Sequence, residues 1–259
     1  MPRQARGKSE SGYYHVMLRG NEQRKVFLDN YDRKKYLDLL AKQVFSGNIA
    51  ISGYCLMDNH IHLIVRENEN GLSKPMHSIG TAYVYYFNKK HRRVGHLFQN
   101  RFNSEAISDD LYLFSALRYV HQNPVKAGMC KEVEAYPWSS DCYYRNSTLE
   151  SFVSTEILSY ISNDRGKAVS EYCRLMKIPE TNTFLEVKEL PIKPENLTLL
   201  LEKEIKKYGL KDVLDKRYRS QLKEIIHKLC EDYCVSMNDI ASELGISKST
   251  VYRILNNKV

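Results

Sequence analysis

Leu56-Met57-Asp58-Asn59-His60-Ile61-His62-Leu63-Ile64-Val65 is the stretch whose reading decides the fold. Ile64 and Val65 are β-branched, Ile61 and Leu63 are apolar, and the polar pair Asp58-Asn59 marks a turn before them, so the run reads as a strand. Side chains alternate between faces along a strand, which sends His60 and His62 to one side and Ile61 and Leu63 to the other. Two imidazoles side by side on a rigid strand make half of a divalent-metal site. The plain alternative is two ordinary histidines on a half-exposed face.

A second stretch, Arg118-Tyr119-Val120-His121-Gln122-Asn123-Pro124-Val125, weighs against that alternative. It reads as the end of a helix that begins near Ser108-Asp109-Asp110. Ser108 is placed to cap the helix, the two aspartates suit its positive end, and Pro124 discourages continuation. Tyr119 and Asn123, four apart, share a helix face. Tyrosine is a nucleophile for phosphodiesters once activated, and asparagine offers a neutral oxygen to a metal's shell. His121 projects elsewhere around the helix and reads as structural.

Together these stretches resemble the single-tyrosine HUH transposases, and within them the branch associated with repetitive extragenic palindromes. His60-Ile61-His62 matches the HUH signature, in which U is a bulky apolar residue, and Tyr119 with Asn123-Pro124 matches the tyrosine helix. Gly12 to Asn21, Gly95 to Phe102, Asn123 to Gly128 and Trp138-Ser139-Ser140 follow in the expected order, so the resemblance covers roughly residues 9 to 176. It implies that Tyr119 is the nucleophile and that His60, His62 and Asn123 hold Mg²⁺ or Mn²⁺. It also implies a single-stranded DNA substrate beside a hairpin-forming repeat, cut through a 5′-phosphotyrosine. Better-known relatives carry glutamine as the third ligand four residues after the tyrosine. That leaves Gln122 as the alternative to Asn123.

Working outward, the pattern predicts a strand at Tyr13–Arg19, a helix from Asp29 or Asn30 to about Phe45, and strands at Ile49–Leu56 and His60–Arg66. A second helix is expected from about Leu72 to Lys90, then a strand at Arg101–Ile107 before the tyrosine helix. The β-α-β-β-α-β-α order is that of an α+β, ferredoxin-like split βαβ domain, an antiparallel sheet with helices on one face. Strand pairing is taken mainly from the resemblance. Lys89, Lys90, Arg92 and Arg93 cluster at the end of the second helix and are candidate DNA contacts. Residues 1 to 11 read as a basic arm.

Residues 146–195 read as a helical extension and a proline-bearing linker, after a catalytic domain at 9–145. Residues 196–259 read as a separate all-α module. In its run from Val235 to Leu255, small Ala241, Gly245 at a tight turn, and Ser247 capping the next helix resemble a helix-turn-helix. The module also resembles the C-terminal domain of the DnaA initiator. Lys248, Ser249, Thr250, Tyr252 and Arg253 would face DNA. His227, Cys230 and Cys234 could share a helix face, more in keeping with an apolar seam than a metal site.

The chain has 259 residues and a formal net charge of +8, and its pI of about 9.0 suits a polyanionic partner. No membrane span or apolar signal core is apparent, and six scattered cysteines do not build a disulfide scaffold. A cytoplasmic monomer or homodimer is expected. Two further readings stay open: a catalytically retired DNA-binding regulator, and another HUH nickase such as a relaxase or replication initiator.

Overall fold

A computed structural model of the chain describes residues 7–146, 151–180, 184, 197–209, 215–232, 235 and 237–256. It divides into two compact units, residues 1–185 and 186–259. Residues 1–6 of the expected arm, most of the expected linker, and the side chains of Cys230 and Cys234 lie outside what is described.

The first unit is built on four antiparallel strands, β1 (Tyr13–Arg19), β2 (Ile49–Leu56), β3 (His60–Glu67) and β4 (Asn103–Ala106), in the order β2-β3-β1-β4. This is the ferredoxin-like order with every neighbouring pair antiparallel. Helices α1 (Asn30–Phe45) and α2 (Ser73–Lys90) pack together through the Tyr36–Tyr83 contact, ring centroids 5.1 Å apart. Asp29 caps α1 in a reciprocal capping box with Asp32. Tyr36, Leu40, Tyr83 and Phe87 are fully buried, which makes the aromatic line of α2 core.

Register fixes the faces. Met17 lies opposite His62 and Arg19 opposite His60, so these four share one face of the sheet. Leu18, on the other face, lines a groove against Met76, Gly80 and Val84 of α2. Helix α3 (Asp110–Lys126) covers the histidine face. Gly53 of β2 shows how closely: a Cβ there would lie 2.7 Å from Leu117 Cδ1 of α3 and 3.2 Å from Ile64 Cγ1. The β2–β3 register also shifts between Ile51 and Gly53, a bulge beside a glycine where a helix needs close approach. Helices therefore cover both faces of the sheet rather than the one face expected, because α3 packs on the side opposite α2, and β3 is buried nearly throughout.

Two local details of α3 differ from the sequence reading. Asp109, not Ser108, is the cap, its Oδ1 accepting from Tyr112 N at 2.8 Å. The helix also runs through Pro124 to Lys126. Proline forfeits only one bond of the last turn, and Ala127 and Gly128 close that turn onto the Asn123 and Val125 carbonyls.

The segment after α3 belongs to the same unit. Leu56 N donates to Trp138 O and Ser140 N to Tyr54 O, covering the free edge of β2. Helices α4 (Asp141–Arg145) and α5 (Arg165–Met176) follow. Ile157, Leu158, Ala168, Tyr172 and Met176 are buried in the core that contains the sheet. Residues 9–11 are also tied down: the Ser9 and Ser11 hydroxyls both donate to Ile107 O.

The second unit is helical: α6 (Leu197–Lys207), α7 (Arg219–Asp232), α8 (Met237–Glu243) and α9 (Lys248–Asn256). Leu222, Ile225, Ile226, Ile240, Ala241, Val251 and Ile254 form its own core. Gly245 turns the chain at φ +64° between α8 and α9, and Ser247 Oγ accepts from Thr250 N at 3.2 Å. Among the described residues, no helix is long and apolar enough to cross a membrane.

Candidate active site

The histidine face of β3 meets α3. His60 and His62 rings lie perpendicular with centroids 4.9 Å apart, and the Tyr119 ring meets His62 edge-on at 5.6 Å. Strand alternation and one helix position thus bring Tyr119 against two histidines that lie 57 and 59 residues earlier in the chain.

Each histidine has one nitrogen engaged. His60 Nδ1 lies 2.7 Å from Asn59 Oδ1, an acceptor, so His60 carries its proton there and keeps the Nε2 lone pair. His62 Nδ1 lies 2.9 Å from Nε2 of His15, a fully buried ring on β1. Burial, with the nearby Arg19 charge, pushes the His60 pKa down to about 4. Burial, with His15 and His60, pushes His62 well below its usual range. Both rings are therefore neutral at physiological pH, the form a metal needs.

Asn123 sits one turn beyond Tyr119, its Nδ2 donating to Tyr119 O at 2.9 Å. Its Oδ1 is the atom suited to a cation. Gln122 is committed elsewhere. Its Nε2 donates to Met176 O and Ile178 O, and its Oε1 accepts from Glu180 N, pinning the segment after α5 onto α3. Arg118 and Ser115 bind the Glu180 carboxylate beside it. The bare His60 Nε2, the His62 Nε2 that makes no hydrogen bond, and an amide oxygen form a donor set that fits Mn²⁺ or Mg²⁺, with imidazole favouring the former.

Tyr119 is 2 % exposed. Phe184 covers it, ring centroids 4.9 Å apart, and also contacts His15 and Tyr112. Lys126 Nζ stands 4.7 Å from the Tyr119 ring centroid, a cation over the π face. His15, Lys126 and Phe184 were not singled out from sequence. A histidine on β1 at an inward position was the one available signal. Lys126 lay within the quoted Asn-Pro-Val-Lys-Ala-Gly run, and Phe184 offered none.

His121 is structural, as read. Its Nδ1 meets Tyr172 OH and its Nε2 meets Ser140 Oγ, both at 2.7 Å.

The basic cluster divides. Lys90 Nζ lies 2.7 Å from both Asp29 and Asp32. Burial works against its charge, but the Asp29 and Asp32 hydrogen bonds outweigh it and raise the pKa. His91 joins Asp32 as well, so the Asp29–Asp32–His91 cluster already holds a cation, the Lys90 ammonium. Lys89 and Arg93 line the groove between α2 and residues 95–102, with Lys74 and Arg101; its volume is about 1220 Å³. Arg92 is exposed, with φ +51°. In the second unit, Lys248, Ser249, Tyr252 and Arg253 are exposed and Thr250 is half-buried.

A two-histidine strand, a buried tyrosine and a ferredoxin-like sheet are the parts that the resemblance to HUH-type tyrosine transposases calls for. Residues 8–123 match the family described as "Transposase IS200 like". A Haemophilus influenzae protein named as a REP-associated tyrosine transposase is 33% identical over 98 residues, covering 33% of this chain and 55% of its own length. The chain thus spans about half the length of that relative. A solved REP-associated tyrosine transposase bound to a REP hairpin aligns over 60% of this chain and 91% of its own. Its identity is 20% and its TM-score 0.47.

Proposed function

We propose that the first unit is a metal-assisted DNA strand transferase that uses Tyr119 on single-stranded DNA beside a hairpin-forming repeat. The observation that carries this is the Tyr119 ring set against His62 on a face where His60 keeps Nε2 bare and His62 Nε2 makes no hydrogen bond. His60, His62 and Asn123 would hold the cation. When bound, Mn²⁺ or Mg²⁺ supplies positive charge to a non-bridging phosphoryl oxygen.

Tyr119 Oη attacks phosphorus and loses its proton to solvent. The P–O3′ bond breaks, and the 3′ oxygen leaves as a 3′-OH after taking up a proton. The product is a 5′-phosphotyrosine. Attack by a 3′-OH on that bond reverses the step and rejoins strands without a nucleotide cofactor, since one phosphodiester replaces another. Lys126 over the ring stabilises negative charge developing on the tyrosine. Lys89, Arg92 and Arg93 supply sequence-independent phosphate contacts. Lys248, Ser249, Thr250, Tyr252 and Arg253 on α9 supply a second, duplex-reading contact.

A second reading, a retired enzyme that binds DNA as a regulator, draws on Phe184 lying over Tyr119 and on the helix-turn-helix of the second unit. Denaturing electrophoresis of a labelled single-stranded hairpin substrate separates the two. The transferase gives a protein-linked DNA band with Mn²⁺, absent with EDTA and in Tyr119→Phe. Mobility shift without cleavage across several hairpins supports the regulator.

A further inference from the structure

We propose that His15 and Glu105 are a positioning pair that locks His62 in the one tautomer able to offer Nε2 to a cation. The inference rests on the metal-site reading above only for its purpose; the tautomer itself is a property of the metal-free protein. Glu105 lies directly opposite His15 in the β1–β4 pairing. Glu105, His15 and His62 thus form a row across three adjacent strands on one face of the sheet.

One proton occupies the 2.9 Å gap between His62 Nδ1 and His15 Nε2. If it belongs to His15, then His62 carries its own proton on Nε2 and that nitrogen is closed to a cation. His15 Nδ1 would then present a lone pair to the Glu105 carboxylate 3.8 Å away. If the proton belongs to His62 Nδ1, His62 Nε2 is bare, and His15 Nδ1–H turns its positive end toward Glu105. The carboxylate selects the second arrangement by charge–dipole attraction. The 3.8 Å separation is too long for a hydrogen bond. His15 Nδ1 has no hydrogen-bond partner in a fully buried ring, so this electrostatic contact decides which of its nitrogens carries the proton. Glu105 is itself anchored, its Oε1 accepting from Tyr112 OH at 2.9 Å. His60 reaches the same state through Asn59; His62 relies on a longer chain ending in an anion.

The test is a long-range ¹H–¹⁵N histidine spectrum of metal-free full-length protein at pH 7.5, with His62 assigned by its loss in His62→Gln. Mn²⁺ affinity is measured in parallel by titration calorimetry. Wild type is expected to show His62 protonated at Nδ1. Glu105→Gln keeps the shape but offers an amide N–H to His15 Nδ1. It should move His62 toward the Nε2–H form and weaken Mn²⁺ binding by about tenfold, in the range typical of outer-shell partners. His15→Phe removes the acceptor and should weaken binding by roughly 10–100-fold. His15→Gln, whose Oε1 can accept from His62 Nδ1, should restore most of it. Thermal unfolding confirms that each variant is folded. His62 protonated at Nε2 in wild type, His15 carrying both protons, or Glu105→Gln leaving the tautomer unchanged would each overturn the proposal. The expected tautomer shifts without Mn²⁺ binding in wild type would uphold the pair and overturn the metal reading instead.

Discussion

His121 and His62 are both buried histidines pushed toward neutrality by desolvation, and both face α3 or lie on it. They differ in how their nitrogens are used. His121 gives both to protein partners, Tyr172 and Ser140, within a network that continues through Asp141 to Arg145. His62 gives one to His15 and leaves Nε2 without a hydrogen bond at the face that Tyr119 shares. A buried polar atom with every bond made is cement; one left with an open lone pair beside a nucleophile is a tool. Burial and a lowered pKa alone do not distinguish the two.

The comparison is most sharply tested at the nucleophile. Tyr119→Phe should lower strand cleavage on the order of 10³-fold or more while leaving Mn²⁺ affinity and unfolding temperature near wild type. His62→Ala should weaken Mn²⁺ binding on the order of 100-fold. His121→Leu should leave Mn²⁺ binding unchanged and cost about 1–3 kcal/mol in denaturant unfolding, because Tyr172 and Ser140 each lose a partner. A reversed pattern between the two histidines would break the distinction.

Acid supplies the next test. The usual histidine pKa of 6.5 falls to about 4 in the folded chain for His60 and His121, and lies well below 6.5 for His62. Their contribution to stability is full above pH 6.5. It is lost as pH falls toward about 4, because the unfolded chain takes up protons that the folded chain excludes. Each ring contributes a slope of about 1.4 kcal/mol per pH unit in that window. Urea unfolding in chelator from pH 8 to 5 should show midpoints falling below pH 6.5, more steeply in wild type than in His121→Leu. The smallest effect is expected at Phe184. One aromatic pair is worth about 0.5–1.5 kcal/mol, so Phe184→Ala should raise the cleavage rate roughly 2–10-fold by uncovering Tyr119.

Much of this was legible in the chain. His60-Ile61-His62 gave its face by simple alternation, and Tyr119 and Asn123 their shared face by helical spacing. Gly245 and Ser247 announced their turn and cap through backbone and hydroxyl chemistry that is local by nature. What could not be read depends on contacts far apart in sequence. His15 meets His62 only because β1 pairs with β3, and Phe184 meets Tyr119 only because Gln122 pins residues 176–180. Lys90 looked like its basic neighbours until Asp29 and Asp32, some 60 positions earlier, claimed its charge. The choice between Ser108 and Asp109 as cap was a matter of one residue, the usual margin at a helix end.

Gly53 carries no chemistry, yet it works as a spacer gauge. The gap between β2 and α3 is set by a methyl group that is missing, since a Cβ there would press on Leu117, two positions before Tyr119. The distance from the tyrosine to the histidines can therefore be tuned from behind, one carbon at a time, without altering any group that would touch DNA.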